Sequence, residues 1–514
     1  MALITLSPFT LGAGFIFLAV IGLSIFRQAS WSKTIPGPWL AKFTKLWYLW
    51  QIYRCDFHWT NINLHRERGK IVQLAPGWFS IDDPDALKII YGHGSQWAKG
   101  EWYDSWNFGS HPDQTNLFSE RNNARHSVMR RKVASMYSMS ALVSYEPYVD
   151  NCIGLLQRQL AKFASERSII DVGHWMQCYA FDVIGEITFG ERFGFLDEGK
   201  DINKLIQNLD VGMSACSYFG VFTGLLPLQA IIFKLTNNED SNYVQRFTER
   251  RVAITRSQKL DLQEDGPVYM AKKFIHAQEK GDGSKTFTDW DVKLNAGANI
   301  GAGSDTTSLS LSSVLFYIYR HPRCLERVRK ELENSGLTSH SQLSFQQVQK
   351  LPYLQAAIKE ALRMHPGTGL PMWRVVPEGG AIICGQYFPA GTNIGVNSWV
   401  AHRNQTVYGA DADEYRPERW LEAPADEGIT GDKSKAIEQS FMPFGIGART
   451  CIGKNISLLE TNKLIPILIR DYDIEFVTKD GEPERSKYMP ARNRWFVKPD
   501  NLYARITRRQ SSAN

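Results

Sequence analysis

The sequence predicts a mainly α-helical fold with small β-sheets, in which one folded domain follows an N-terminal membrane segment. Most periodic segments of the 514-residue chain repeat their apolar residues at helical spacing. Only two segments show apolar runs divided by turn residues, the pattern typical of strands. The composition is even along the chain and no internal repeat interrupts it, so one domain is the simplest interpretation.

The chain begins with a segment that can cross a membrane. Residues 1–26 are uncharged and largely apolar, which is long enough to span a hydrocarbon core of about 30 Å. We interpret residues 1–28 as a transmembrane anchor. A cleavable signal peptide is the alternative, but it usually starts with a basic region, and the first basic residue here is Arg27. Because basic residues follow the segment, the positive-inside rule places the rest of the chain in the cytosol.

A proline-rich hinge follows the anchor, over residues 29–40, and contains Ile35-Pro36-Gly37-Pro38. The remaining residues, 41–514, form the predicted domain. The net charge is +6 and the basic residues are scattered, so we expect no nucleic-acid partner. Seven widely spaced cysteines form neither a zinc pattern nor a disulfide framework. They indicate a reducing compartment, in agreement with a cytosolic domain.

The elements of the domain follow in chain order. The strand patterns lie at 71–81, divided by Pro76-Gly77, and at 381–396, divided at Gly385 and at Pro389-Ala390-Gly391. Helical periodicity covers residues 124–137, 145–163, 289–319, 322–333, 348–364 and 454–470. Loops are predicted at 279–284 and 423–433.

The helix predicted at 289–319 contains three glycines, at 297, 301 and 303, and each costs it about 1 kcal/mol relative to alanine. A local requirement must therefore retain them. Thr306 follows these glycines, and its hydroxyl can bond back to the preceding turn and open the helix there. The alternative is that Asp305 caps a second helix that begins at Thr306.

A single cysteine, Cys451, stands in the glycine-bearing turn F-G-I-G-A-R-T-C-I-G at residues 444–453. Gly445 and Gly447 permit a tight, bare loop, so backbone N–H groups can approach the sulfur. The helix predicted after the turn places Cys451 at a helix N-terminus, where the dipole favours a thiolate. An isolated cysteine in such a turn is most often a buried structural residue. The ten-residue context reverses that interpretation and makes Cys451 a candidate axial ligand of a haem iron.

With these residues the chain resembles the haem-thiolate monooxygenases of the cytochrome P-450 superfamily. The F-x-x-G-x-R-x-C-x-G signature of that family is matched by Phe444, Gly447, Arg449, Cys451 and Gly453. The resemblance implies the cytochrome P-450 fold and a haem b (iron protoporphyrin IX) whose iron is bound by Cys451 and whose propionate pairs with Arg449. In the residues of these segments the chain is most similar to membrane-bound filamentous-fungal enzymes of secondary metabolism, including the pisatin demethylase-like group.

The resemblance also assigns roles in the helix at 289–319. Residues 302–307 fit the family's A-G-x-D-T-T pattern. It implies that Asp305 and Thr306 supply protons to dioxygen and that the neighbouring small residues make room for it. Three more positions match haem-propionate contacts of the family: His126, where relatives commonly have tryptophan, Arg130 one turn later, and Arg374.

Glu360 and Arg363 stand three residues apart on a predicted helix. An exposed pair of that kind contributes only about 0.2–0.5 kcal/mol. The family, however, has an E-x-x-R pair that locks to a later arginine, matched here by Arg419. The resemblance therefore implies a buried network that fixes the cysteine loop. Trp420, which is phenylalanine in many relatives, is expected to change only packing volume.

The resemblance implies a monooxygenase that inserts one oxygen atom from O2 into a lipophilic secondary metabolite, such as a polyketide, terpenoid, alkaloid or phenolic. No flavin or nicotinamide fingerprint is apparent, so electrons from NADPH require a separate NADPH-cytochrome P-450 reductase. The implied location is the endoplasmic reticulum membrane, with a single pass and a cytosolic catalytic domain. By analogy of position, substrate contacts are expected from residues 102–117, 217–228, 298–302, 368–373 and 489–495.

Two other functions remain open from the sequence. One is a haem-thiolate isomerase or dehydratase that needs no reductase, and the other is a haem-binding sensor without turnover. Such isomerases can dispense with the Asp-Thr pair, so Asp305 and Thr306 argue against the first of them.

Overall fold

The computed structural model describes residues 34–107, 114–236, 242–258, 268–280, 287–337, 343–421 and 430–509. These residues form a mainly helical fold with small sheets, as predicted. The helices are α1 (Leu46–Tyr53), α2 (Phe57–Arg68), α3 (Pro84–Tyr91), α4 (Asn123–Val133), α5 (Met139–Val143), α6 (Glu146–Glu166), α7 (Val172–Phe189), α8 (Phe195–Glu198), α9 (Leu205–Phe219), α10 (Leu226–Leu235), α11 (Tyr243–Ser257), α12 (Met270–Glu279), α13 (Asp289–Arg320), α14 (Pro322–Asn334), α15 (Phe345–Val348), α16 (Pro352–Met364), α17 (Ser398–Ala401), α18 (Gln405–Tyr408), α19 (Thr430–Ser440) and α20 (Lys454–Asp471).

The strands are β1 (Ile71–Ala75), β2 (Trp78–Ile81), β3 (Ile169–Asp171), β4 (Arg374–Val375), β5 (Ala381–Ile383), β6 (Gln386–Phe388), β7 (Asn393–Gly395), β8 (Tyr472–Val477), β9 (Ala491–Arg494), β10 (Phe496–Pro499) and β11 (Tyr503–Arg508). One sheet has the order β1-β2-β7-β4, and another has the order β3-β11-β8. β5 with β6 and β9 with β10 form antiparallel hairpins. The last strand of the segment predicted at 381–396, β7, therefore does not join the β5–β6 hairpin and pairs instead with β2 and β4.

Helix α13 runs through the centre of the molecule. Its N-terminus is a capping box, in which the Thr288 hydroxyl accepts the N–H of Asp291 and the Asp291 carboxylate accepts the N–H of Thr288. The helix packs against α7, α16, α20 and β10, and most of its second half is buried. It continues through residues 305 and 306 without a break. The alternative in which Asp305 caps a new helix is therefore wrong.

Two helices of the structure end or begin at residues other than those predicted, and each difference has a local cause. The segment at 348–364 divides into α15 and α16, because Pro352 takes the first position of α16 and Leu351 before it is extended. The segment at 124–137 is helical to Val133 and then tightens into a 3₁₀ turn over Ala134–Tyr137.

The predicted anchor, residues 1–28, lies outside the described residues. The hinge is described from residue 34 onward, where Ile35 is buried and the carbonyl of Pro36 accepts the N–H of Gln73 at 2.8 Å. A Cβ atom at Gly37 would lie 2.5 Å from the carbonyl oxygen of Gln73, so this glycine is required for the close approach to β1. Across the described ranges, no helix is both long and apolar enough to cross a membrane.

Candidate active site

The cysteine turn is fixed by its own backbone and by α3. The N–H of Cys451 donates to the carbonyl of Phe444 at 2.8 Å, and the Thr450 hydroxyl donates to the carbonyl of Gly445 at 3.0 Å. Gly445 and Gly447 have φ angles of +70° and +67°, which favour glycine. A Cβ at Gly447 would stand 1.9 Å from the carbonyl oxygen of Tyr91, so only glycine fits there.

The environment of Cys451 combines accessible surface with surrounding protein atoms. Its side chain has accessible surface, although burial among protein atoms raises the pKa of its thiol. The N–H groups of Gly453 and Lys454, together with the charge of Arg130, act in the opposite direction. Gly453 is the N-cap of α20, so the sulfur lies at a helix N-terminus as the sequence predicts. Net thiolate stabilisation is not achieved by the protein alone. A bound metal deprotonates a coordinating thiol outright.

Five basic side chains gather beside the cysteine turn: Lys99, His126, Arg130, Arg374 and Arg449. Burial, together with the charges of Arg449 and the other three cations, lowers the pKa of His126 to about 3. Burial and neighbouring cations hold the pKa of Lys99 well below its usual range. The same two causes lower the pKa of Arg449 to about 10. Within the part of the chain that the structure describes, none of the five is ion-paired with a carboxylate.

These cations are satisfied by backbone carbonyls. Arg130 donates to the carbonyl of Thr450 at 2.6 Å, which places the cluster next to Cys451. Arg449 donates to the carbonyl of Glu120 at 2.7 Å, Arg374 to that of Trp373 at 2.9 Å, and Lys99 to that of Phe118. Concentrated positive charge without a direct ion-pair partner is the chemistry of an anion site. One sulfur ligand with cations beside it fits an iron porphyrin that carries propionates.

Lys99 was not predicted from the sequence. It lies in W-A-K-G-E-W, where nothing in the local pattern distinguishes it from a surface lysine. In the structure it is buried, with its ammonium 4.4 Å from the ring centre of Tyr103 and 4.5 Å from that of Phe118. The other positions, His126, Arg130 and Arg374, were predicted, and the structure brings them together with Arg449.

A line of small residues on α13 keeps accessible surface. Ala298, Ala302 and Thr306 are spaced four residues apart and retain accessible surface on a helix that is packed on its other sides. The Thr306 hydroxyl donates to the carbonyl of Ala302 at 2.7 Å, which is the back-bond expected from the sequence. Gly303 has another role, because a Cβ there would lie 3.0 Å from the side chain of Ile184 in α7. That glycine allows close helix packing.

Asp305 is fully buried beside Thr306 but has different neighbours. Its Oδ1 accepts hydrogen bonds from Gln177 of α7 and from Lys498 of β10, the latter at 3.2 Å. Its Oδ2 has no partner among the described residues. Burial raises the pKa of this carboxyl, and the charge of Lys498 opposes that rise.

Glu360 and Arg363 form a buried network with Arg419. Both Glu360 oxygens are 2.8 Å from Arg363 nitrogens, and the Arg419 Nε is also 2.8 Å from Oε1. Burial alone would raise the pKa of Glu360, but the two guanidinium groups outweigh it and hold that pKa below its usual value. Arg363 also donates to the carbonyls of His402, Ala412 and Glu414. The network thus orders the irregular chain that precedes the cysteine turn.

Two further residues connect this network to the cysteine turn. His402 has its Nδ1 3.0 Å from the carbonyl of Arg363, and its Nε2 accepts the N–H of Met442 at 2.9 Å. Trp420 was expected to change only packing volume, but its indole N–H donates to Glu360 Oε2 at 2.9 Å. Its ring also lies 5.0 Å from that of Phe441. Trp420 therefore adds a hydrogen bond that phenylalanine cannot make.

Trp420→Phe should destabilise the protein by about 1–3 kcal/mol, because the Glu360 carboxylate loses a buried donor. The expected result is a lower thermal midpoint of haem release, with an unchanged carbon monoxide spectrum. Trp50→Phe is the matched control, since Trp50 is exposed on α1. Equal thermal midpoints for Trp420→Phe and the parent protein would contradict the importance of this hydrogen bond.

Four of the five predicted substrate-contact segments meet at the β9–β10 hairpin. Trp495 at its tip has a φ of +93°, a strained value for a bulky residue, and its ring centre lies 4.7 Å from that of Trp102. The carbonyl of Trp495 accepts the N–H of Gly369 at 2.8 Å, and the Ser217 hydroxyl donates to the carbonyl of Arg494 at 3.2 Å. Residues 108–113 of the first segment lie outside the described residues.

Comparison with known proteins identifies the family. A family model described as cytochrome P-450 matches residues 36–500. A pisatin demethylase of Fusarium vanettenii is 39% identical over 479 residues, covering 91% of this chain and 87% of that protein. A cytochrome P-450 monooxygenase of Aspergillus terreus is 34% identical over 91% of this chain and 95% of its own length. The monooxygenase cicH of Emericella nidulans is 34% identical over 96% of this chain and 97% of its own.

Proposed function

This chain belongs to the cytochrome P-450 family and is a haem-containing monooxygenase, and on that premise we propose that it oxidises a lipophilic secondary metabolite with electrons passed from NADPH by a separate reductase. The observation that carries the proposal is the Cys451 thiol at a helix N-terminus beside five basic side chains without ion-pair partners among the described residues. The resemblance to fungal enzymes related to pisatin demethylase is confirmed.

In the proposed site, Cys451 would supply the sulfur ligand of the iron, and Phe444, Gly447 and Gly453 shape the turn that presents it. The side chains that would hold the propionates by charge-assisted hydrogen bonds are Lys99, His126, Arg130, Arg374 and Arg449. When bound, haem b supplies the activation of dioxygen that lets one oxygen atom enter the substrate. Thr306 holds a proton at its hydroxyl on the accessible line of α13. Asp305, the preceding residue, is proposed as the carboxyl group that supplies protons there.

The reductase is proposed to dock on the cysteine side of the haem. Helix α4 carries Arg125, Arg130, Arg131 and Lys132 and has no acidic residue of its own; Arg125 pairs with Glu120 and Lys132 with Asp291, and Arg131 is exposed. It adjoins the cysteine turn, because Arg130 donates to the carbonyl of Thr450. An acidic flavoprotein surface would be attracted to this helix, and that attraction would raise the association rate at low salt.

The substrate is proposed to be a flat, apolar metabolite of the polyketide, terpenoid, alkaloid or phenolic type. The support is the aromatic cluster of Trp102, Trp106, Phe118 and Trp495, which brings large apolar side chains to the tip of the β9–β10 hairpin. Pisatin is a suitable first test compound because two relatives are named for its demethylation.

The proposed location is the endoplasmic reticulum membrane, with one pass and the catalytic domain in the cytosol. An exposed apolar surface supports contact with a membrane. Trp39 and Leu46 lie on it at the start of the described chain, and Ile231 and Leu235 lie on α10, with Leu235 79% exposed. The Tyr53 ring on α1 is 6.4 Å from that of Tyr218 on α9, the helix that precedes α10.

Removing residues 1–28 should release part of the protein from membranes, while the spectrum of the haem protein stays normal. The exposed surface on α1 and α10 should retain some attachment. Fractionation followed by the reduced carbon monoxide spectrum of each fraction measures both effects. Truncated protein that no longer binds haem would mean that the first segment belongs to the fold.

Thr306→Ala should uncouple NADPH consumption from product formation, with normal haem content. General acid–base contributions are typically about 10²–10⁴-fold, and we expect a loss toward the lower end because water can substitute for the hydroxyl. Hydrogen peroxide released and product formed per NADPH are the measurements. Ser312→Ala is the matched control, since Ser312 makes the same back-bond further along α13 at 2.7 Å. Unchanged coupling in Thr306→Ala would remove Thr306 from the reaction.

The function as a whole is tested by NADPH oxidation that requires both reductase and substrate. An isomerase or dehydratase would turn over without reductase. A sensor would bind haem and ligand without any turnover.

A further inference from the structure

An ion-pair chain leads from the buried Asp305 to the surface of α9. The Lys498 ammonium is 3.2 Å from Asp305 Oδ1 and 4.0 Å from Asp210 Oδ1. Asp210 lies on α9, is about one third exposed, and makes a second ion pair with Arg494 of β9. One lysine therefore lies between a carboxylate in the core and a carboxylate at the surface.

The ionised form of Asp305 depends on Lys498 more than on the other neighbours of this carboxylate. α7 contributes the neutral amide of Gln177, β10 contributes Lys498, and α9 contributes the negative charge of Asp210. In the described part of the chain, Lys498 is the one cation in ion-pair contact with Asp305. A buried carboxylate without a cationic partner is costly and becomes protonated instead.

We propose that Lys498 is a positioning residue for this reaction, because it favours the ionised form of Asp305 and holds that carboxylate toward the β9–β10 hairpin. Lys498 is also shared with Asp210, so helix α9 regulates the charge beside Thr306. The inference rests on the proposed role of Asp305 in moving protons. The effect of Lys498 and α9 on the ionisation of Asp305 can be tested whether or not Asp305 moves protons.

Electrostatics predicts opposite effects for the two neighbours. Lys498 lowers the pKa of Asp305, whereas the negative charge of Asp210 raises it and also competes for Lys498. Loss of the lysine charge should therefore move the Asp305 titration to higher pH. Loss of the Asp210 charge should move it to lower pH, because Lys498 then serves Asp305 alone. Removing any charge-independent packing contact would not produce two shifts of opposite sign.

The test is an infrared pH titration of the purified ferric holoprotein without substrate. The C=O stretch of the protonated Asp305 carboxyl is assigned by its absence in Asp305→Asn. Lys498→Met should raise the midpoint of this band by about 1–3 pH units, the range for an opposite charge at this distance. Asp210→Asn should lower the midpoint, and Lys498→Arg should keep it near that of the parent.

An unchanged midpoint in Lys498→Met would overturn the proposal. If that variant does not retain haem, Asp210→Asn decides the question, because Asp210 is partly exposed and its replacement conserves shape. A lower midpoint in Asp210→Asn supports the proposal, and an unchanged or higher midpoint overturns it. Failure of the catalytic role is recognised separately: Asp305→Asn would then leave product per NADPH equal to that of the parent, whatever the titration shows.

Discussion

Cys451→Ser is expected to abolish the red-shifted absorbance band of the reduced carbon monoxide complex. The band requires thiolate donation to the iron, and a serine hydroxyl at the same position is neither soft nor readily ionised. Serine is close in size to cysteine, and the N–H of residue 451 still reaches the carbonyl of Phe444, so the turn itself should persist. The measurement is the difference spectrum of the purified, dithionite-reduced variant.

Cys384→Ser provides the control for this substitution. Cys384 is exposed and lies in the turn between β5 and β6. Its replacement should leave the band unchanged. A normal red-shifted band in Cys451→Ser would show that another group binds the iron.

Glu360→Ala is expected to destabilise the protein by about 3–5 kcal/mol, because it leaves the guanidinium groups of Arg363 and Arg419 buried without their carboxylate. The indole N–H of Trp420 loses its acceptor as well. Since Arg363 and His402 connect the network to Met442, the cysteine turn should lose its support. We expect low yield and poor haem retention, measured as haem per protein and as the midpoint of urea unfolding.

The matched control is Glu326→Ala. Glu326 pairs with Lys330 at 2.8 Å on α14, and both side chains are largely exposed to solvent. This pair should contribute almost nothing to stability, because solvent screens exposed ion pairs. A stable Glu360→Ala variant with full haem content would refute the structural role assigned to the buried network.

The sequence predicts the parts of the site that are local in the chain. The turn at 444–453 is readable because its glycines, arginine and cysteine are close together, and the structure explains Gly447 by its contact with the Tyr91 carbonyl. α13 is readable from its periodicity and its glycines. Even here the helix dipole does not decide the ionisation of the cysteine, because burial outweighs it and raises the pKa of the Cys451 thiol.

The features of the site that depend on contacts between distant residues cannot be predicted from the sequence. Lys99 joins the basic cluster from the segment before α4, and Lys498 reaches Asp305 from a strand 193 residues further along the chain. Neither lysine stands in a motif. Trp420 was recognised as a departure from its relatives, but its hydrogen bond to Glu360 depends on side-chain orientation, which a single sequence does not contain.

The most direct test of the account uses the full chain, NADPH-cytochrome P-450 reductase, NADPH and isotopically labelled dioxygen. The substrate is a metabolite chosen because it shifts the haem absorption band, with pisatin as the first compound. The account predicts a product that carries one labelled oxygen atom and forms only when reductase and NADPH are both present. An unlabelled product, or a product that forms equally well without reductase, would contradict it.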